Sequence, residues 1–277
     1  MRTSLLISNP LQEKATLGGM TLTVGETAPR RVRRQRRRPR ATVTSVLGEL
    51  LLTAGVLVLL FVAWQMWIGD IIISAQNNER GAAYSEEWAS APVPEPPAPS
   101  VDVEATGVWE PPILPHPAEG EVFATMHIPR FGADYAVPIA GGTSREITLD
   151  QIGLGLYEQS KMPGEVGNFS LAGHRTTWGK PLNLIDKLRL NDAIVVETPE
   201  GWYTYRFRTL EYVTPTQVEV LADVPAMPQM QTGERYITLT ACSPLYSLAE
   251  RIVAYGLFEG FQPRAEGPPA SLTEGGL

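Results

Sequence analysis

Three side chains in this sequence could together carry acyl-transfer chemistry. They are His174 in "NFSLAGHRTTWGKPL", Cys242 in "YITLTACSPLYSLAERIVAYG", and Arg251 in the same stretch. Cys242 is the chain's only cysteine, so no disulfide within the chain can engage it. Alternation along the strand-like run puts Tyr236, Thr238, Thr240 and Cys242 on one face and Ile237, Leu239 and Ala241 on the other, and Pro244 ends the run. A free cysteine is often a small buried hydrophobe. Here the thiol stands at a strand exit on the more polar face, and a thiolate becomes a strong nucleophile once a nearby cation or base favours it.

His174 follows an apolar strand that ends in "AG", so it too stands at a strand end, with a loop of Thr, Trp and Gly beyond. Arg251 opens the strand after Cys242, with Ser243 to Glu250 between them. If those strands are antiparallel neighbours, the last residue of one and the first of the next lie close together. Arg251, Val253 and Tyr255 share a face, which makes Arg251 an inward arginine in need of a partner. Taken singly, His174 and Arg251 have ordinary structural readings. Together with Cys242 they supply an acid/base, a nucleophile and an oxyanion-stabilising cation. No Asp or Glu is obviously placed to orient His174. His116 lies in a Pro-rich run and His127 alternates within "FATMHIPR" as a satisfied strand residue. No spacing makes a metal site, and no cofactor is expected.

These residues need a scaffold, and the chain divides accordingly. Residues 1–44 are a polar tail closing on a basic block in which eight of the eleven residues from Arg30 to Arg40 are arginine. Residues 45–68 form an apolar run, uncharged from Leu50 to Ile68, that nearly spans a bilayer's hydrocarbon core at ~1.5 Å per residue. It is longer than the apolar part of a cleavable signal peptide, so an uncleaved anchor is expected. The arginines then stay cytoplasmic, and the rest of the chain lies outside a cell membrane crossed once. Residues 1–68 carry 10 Lys+Arg against 3 Asp+Glu, and the remainder 13 against 27. That acidic exterior argues against nucleic acid as a partner, and the basic block suits topology and lipid contact.

Residues 69–118, including "APVPEPPAPS" and "EPPILPHP", read as an extended extracytoplasmic spacer with too little apolar surface to fold. Residues 263–277 read as a disordered tail. The foldable part is 119–262. Period-2 runs such as "WYTYRFRT", "VFATMHI", "YAVPI", "NFSLAG", "AIVVET", "RYITLTA" and "RIVAYGLFEGF" predict about eight short strands closed into a mainly β barrel, with short helical pieces at 148–152 and 182–188.

"LAGHRTTWGKPL" and "TLTACSPLYSLAERIVAYG" resemble the histidine motif and the TLxTC…R motif of sortases. The HRTT form and the Pro soon after the cysteine resemble class E sortases of high-GC Gram-positive Actinobacteria. The resemblance implies an eight-stranded sortase-type β-barrel behind one transmembrane helix, and a cysteine transpeptidase without cofactors. Cys242 would attack the threonine carbonyl of a C-terminal sorting signal. His174 would serve as general acid and then base, and Arg251 would hold the substrate backbone and oxyanion. Tyr157 falls where class E enzymes present a tyrosine to the substrate, which would favour LAxTG over LPxTG signals. Thr176, Thr240 and Ala241 would also contact substrate. The implied partners are secreted proteins bearing such signals, and an acceptor amine on lipid II or a peptidoglycan stem peptide. Ala241 departs from the pattern, which has threonine before the cysteine.

No Asp-Pro-aromatic lid precedes the barrel, which favours cell-wall anchoring over pilin polymerisation. L,D-transpeptidases place a histidine within a few residues of their cysteine, and NlpC/P60-type peptidases put the cysteine first; neither fits. A non-catalytic tethered binding barrel is the remaining alternative. It predicts Cys242 and His174 turned apart and Arg251 salt-bridged outward.

Overall fold

The computed structural model describes residues 42–64, 68–92, 110–231 and 233–274. The tail of residues 1–41 with its arginine block, and most of the Pro-rich run, lie outside the described residues. Helix α1 (Val43–Ala63) has 21 residues, all exposed. It is long and apolar enough to cross a membrane, reaching about 30 Å at 1.5 Å per residue. It begins two residues before the expected span and ends five earlier.

Eight strands follow: β1 (Val122–His127), β2 (Val137–Gly141), β3 (Leu154–Leu156), β4 (Gly167–Gly173), β5 (Ala193–Glu197), β6 (Gly201–Val213), β7 (Arg235–Ser243) and β8 (Glu250–Pro263). They close into a barrel in the order β1-β2-β3-β4-β7-β8-β6-β5. Only β2/β3 and β4/β7 run parallel; the other neighbours are antiparallel. The expected mainly β barrel is thus what the chain forms. A π-type turn at Arg145–Leu149 and a 3-10 turn at Ile185–Lys187 lie near the two places expected for short helical pieces, and further 3-10 turns form at Pro129–Phe131 and Val218–Leu221.

Alternation decides which side chains fill the barrel. Tyr203, Tyr205 and Phe207 of β6 point inward to Phe169, Leu171, Ile237, Leu239, Ile252 and Ala254. The two buried phenols remain hydrogen-bonded: Tyr203 donates to the Pro112 carbonyl (2.7 Å), and Tyr205 accepts from the Gly164 amide (2.8 Å). Burial pushes both phenols well above their ordinary pKa. On β8, Val253 and Tyr255 face a second cluster outside the barrel, with Val213 and Val220. Arg251 shares that outer face, so it is not the inward arginine expected.

The spacer and the tail differ from expectation more. Residues 69–90 form helix α2 (Gly69–Ser90), packed across β1 and β2. Its fully buried residues are Asn77 and Gly81, flanked by partly buried Ile73, Ser74, Asn78, Tyr84, Ser85 and Trp88, a helical repeat whose most buried positions are small and polar. A Cβ on Gly81 would come within 2.1 Å of the Ala136 carbonyl oxygen, so the helix can approach this closely only with glycine there. Residues 110–118 also lie on the barrel, with Pro111 buried and Leu114 against the core.

The expected disordered tail instead holds 3-10 turns at Arg264–Glu266 and Ala270–Thr273. Buried Arg264 binds Glu197 Oε1 at 3.0 Å and lies over the Trp202 ring. The other carboxylate oxygen accepts from Ser85 of α2 (2.6 Å) and pairs with His127 Nε2 (2.8 Å). One buried carboxylate therefore ties α2, β1, β5 and the C-terminal turns together, and His127 is the satisfied strand residue expected.

Burial alone would raise the Glu197 carboxyl, but the hydrogen bonds from His127, Ser85 and Arg264 outweigh it and hold its pKa below the ordinary value. A depressed native carboxylate contributes stability that is full above the ordinary glutamate range and lost as pH falls through the native value. Thermal unfolding should therefore show Tm falling on acidification below that range, with a shallower fall in Glu197→Gln. Glu197→Ala leaves Arg264 buried and unpaired and should cost on the order of 3–5 kcal/mol in denaturant titrations. Gly81→Leu should lower Tm by displacing α2 while leaving the barrel's far-ultraviolet strand signal in place.

Candidate active site

Strand register assembles the site. In the β7–β8 hairpin, Cys242 lies directly opposite Arg251, and residues directly opposite each other in an antiparallel pair share a face. On the other side, β7 pairs parallel with β4 up to Ala172 opposite Thr240. Two residues further along both strands stand His174 and Cys242, on that same face. Neighbouring strands lie ~4.8 Å apart. His174, Cys242 and Arg251 therefore form one row across three adjacent strand ends. The row lines a cleft of about 570 Å³ with Tyr157, Thr176, Thr240, Tyr246 and Leu248.

Each member is held from behind. The His174 carbonyl accepts from the Leu182 amide (3.0 Å), folding the following loop back onto the barrel. Arg175 is buried and reaches across to Ser243 Oγ (3.4 Å) and Asp186 (3.5 Å), bridging the ends of β4 and β7. Cys242 is a partly exposed free thiol. Arg251 donates to the carbonyls of Leu248 and Glu250 (3.2 and 2.9 Å). Among the described residues no carboxylate comes within ion-pair distance of it, so its guanidinium keeps donors for a ligand. The outward salt bridge that a binding barrel predicts is therefore absent among them.

The loops beside the row carry bulky residues in left-handed backbone: Trp178 at φ 54° after His174, and Tyr246 at φ 63° after Cys242. Such conformations cost on the order of 1–3 kcal/mol each and cluster at functional sites.

Tyr157 and Thr240 meet. The Thr240 hydroxyl donates to the Leu171 carbonyl (3.2 Å), so the Tyr157 phenol at 2.8 Å is the donor to it. The tyrosine is thereby pinned into the cleft by the strand that carries the cysteine. Ala241 is different. Its methyl packs in the barrel core with Ile237 and Leu239, on the face opposite Cys242. Ala241 nonetheless borders the cleft beside Cys242, and because its methyl turns inward a threonine here would carry its hydroxyl toward the core.

Asp150 joins the site from a segment that no motif in the sequence marks. Its Oδ1 lies 2.6 Å from His174 Nε2, with both side chains largely buried. Asp150 closes the turn that crosses from β2 to β3 and is 24 positions from the histidine, so no local spacing pattern connects them. His116 lines a separate cleft with Glu119 and Glu158.

The Tyr157–Thr240 contact makes a measurable claim. Tyr157→Phe and Thr240→Val should each lower unfolding free energy by about 1 kcal/mol in denaturant titrations. The double variant should cost less than their sum, because both remove one shared hydrogen bond.

Residues 126–258 match the sortase domain family. The chain is 36% identical over 251 residues to sortase SrtE1 of Streptomyces coelicolor, an alignment covering 88% of this chain and 65% of that protein's length. It is 32% identical over 232 residues to SrtE2 of the same organism, covering 80% of this chain and 86% of that protein. The crystal structure of Streptomyces coelicolor sortase E1 with a tripeptide in its active site superposes with a TM-score of 0.52 at 38% identity, covering 56% of this chain and 99% of that one. A closed eight-stranded barrel, a motif pair on adjacent strand ends and these relatives agree: the chain belongs to the sortase family of cysteine transpeptidases, with class E sortases among its relatives.

Proposed function

We propose that this protein is a membrane-anchored class E-type sortase that cleaves an LAxTG- or LPxTG-type signal after threonine and passes the acyl group to a cell-wall amine. The observation that carries this reading is the row of His174, Cys242 and Arg251 across β4, β7 and β8 in one cleft.

His174 takes the proton of the Cys242 thiol, and the thiolate adds to the threonine carbonyl carbon, forming the C–S bond. The developing oxyanion is held by Arg251, which has no carboxylate partner among the described residues. Collapse breaks the Thr–Gly C–N bond as His174 gives its proton to the leaving amine, which departs with the downstream peptide. A thioacyl enzyme remains. An incoming amine then attacks the thioester, His174 takes its proton, the C–S bond breaks, and the thiolate is restored. The acceptor is an amine of lipid II or of a peptidoglycan stem peptide. Tyr157, fixed by Thr240, sits beside the row where it would meet the signal's second residue and favour alanine there.

Helix α1 serves as the anchor, with the arginine block on the cytoplasmic side and the barrel outside. Residues 64–68 alone separate α1 from α2. The folded α2 support and an Arg251 with no carboxylate partner among the described residues favour an enzyme over a tethered binding barrel.

With an LAxTG peptide and hydroxylamine as acceptor, the wild-type chain should release the downstream fragment and form the threonyl hydroxamate. Cys242→Ala should do neither. Arg251→Lys keeps the charge but loses the planar fork, and should lower kcat by about 10²-fold with a smaller change in KM. Full turnover by Cys242→Ala would sink the proposal.

A further inference from the structure

We infer that Asp150 is a positioning residue for His174, fixing its protonated nitrogen and leaving the other for the reaction. This rests on the proposed sortase chemistry and deepens it. Asp150 Oδ1 lies 2.6 Å from His174 Nε2, and only 12% and 14% of the two side chains are exposed. Between a neutral imidazole and a carboxylate, the ring nitrogen must be the donor, so Nε2 carries the proton and Nδ1 keeps a lone pair.

No protein group hydrogen-bonds Nδ1 among the described residues, and His174 lines the cleft with Cys242 and Arg251. Nδ1 is therefore the nitrogen that exchanges protons with the leaving and incoming amines, while Asp150 holds the ring and stabilises the imidazolium without moving a proton itself.

The carboxylate is itself fixed. The Asp150 amide donates to the Arg145 carbonyl (2.8 Å). Thr148, two residues back, donates its hydroxyl to the Gly141 carbonyl (3.0 Å). Arg80 of α2 donates to the Gln151 carbonyl (2.8 Å). The nearest competing cation, Arg145, stands 3.7 Å from the same oxygen, but its side chain is 68% exposed and screened by water. The π-type turn of Arg145–Leu149 thus delivers a carboxylate to the back of the catalytic imidazole, and α2 braces the next residue.

The test uses the full chain in detergent micelles, labelled with ¹⁵N-histidine. The chain has three histidines, so substituting His116 and His127 assigns the His174 signals. At alkaline pH, wild-type His174 should be almost wholly the Nε2–H tautomer, and Asp150→Ala should shift it to a mixture. In the LAxTG–hydroxylamine assay, Asp150→Asn and Asp150→Ala should lower kcat at least about tenfold with KM within about twofold, and Asp150→Glu should recover part of the loss.

An unchanged tautomer in Asp150→Ala, or kcat within about twofold of wild type in both Asp150→Asn and Asp150→Ala, would overturn the inference. The tautomer readout needs no substrate. A wild-type chain inert toward the peptide but showing the tautomer shift therefore upholds the Asp150 contact and rejects the sorting-signal reading instead.

Discussion

The site depends on strand register. Cys242 is opposite Arg251 because β7 and β8 form one continuous antiparallel pair, and level with His174 because β4 and β7 are parallel and matched. A slip of one residue in either pair would turn a side chain of the row to the opposite face and bring a core residue out. Ile237, Leu239, Ala241, Ile252 and Ala254 oppose that slip, since each would lose its place in the barrel interior. The apolar packing of one face thus enforces the polar geometry of the other. That is how a mainly β scaffold holds three reactive groups at strand ends without a disulfide within the chain.

Support arrives from segments outside the barrel. Helix α2 docks through Asn77 and Gly81, reaches the Glu197 carboxylate through Ser85, and holds the Gln151 carbonyl through Arg80. The C-terminal turns meet the same carboxylate through Arg264. Breaking such a network by removing one partner costs far more than the pair is worth when intact, because the remaining charge stays buried. The helix that follows the apolar segment is therefore part of the catalytic domain's structure and reaches the turn behind His174.

How much of this was legible in the sequence depends on whether the signal was local. The barrel and the Cys242–Arg251 hairpin were readable because alternation in "RYITLTA" and "RIVAYGLFEGF" reports which residues share a face, although not which face is the interior, so Arg251 was expected inward and lies outward. β3 escaped because three residues, Leu154–Leu156, are too few to show a period, and all are buried. α2 escaped because its fully buried positions, Asn77 and Gly81, are small and polar, which leaves only Ile73, Tyr84 and Trp88 to mark an apolar stripe. The tail escaped because Arg264 is stabilised by a carboxylate 67 positions away. Asp150 escaped for the same reason: its partnership with His174 exists only once β2, β3 and β4 are side by side. Ala241 was legible as a departure, but its consequence needed the strand's facing.

The account's central claim is that Cys242 forms a covalent acyl intermediate in this cleft. Intact-mass and peptide-mapping spectrometry of the full chain, quenched in acid during reaction with an LAxTG peptide, tests it most directly. The account predicts an adduct equal to the peptide acyl group ending at threonine, carried on Cys242, released by hydroxylamine and absent from Cys242→Ala. Turnover without any such adduct, or with the acyl group on another residue, would contradict it.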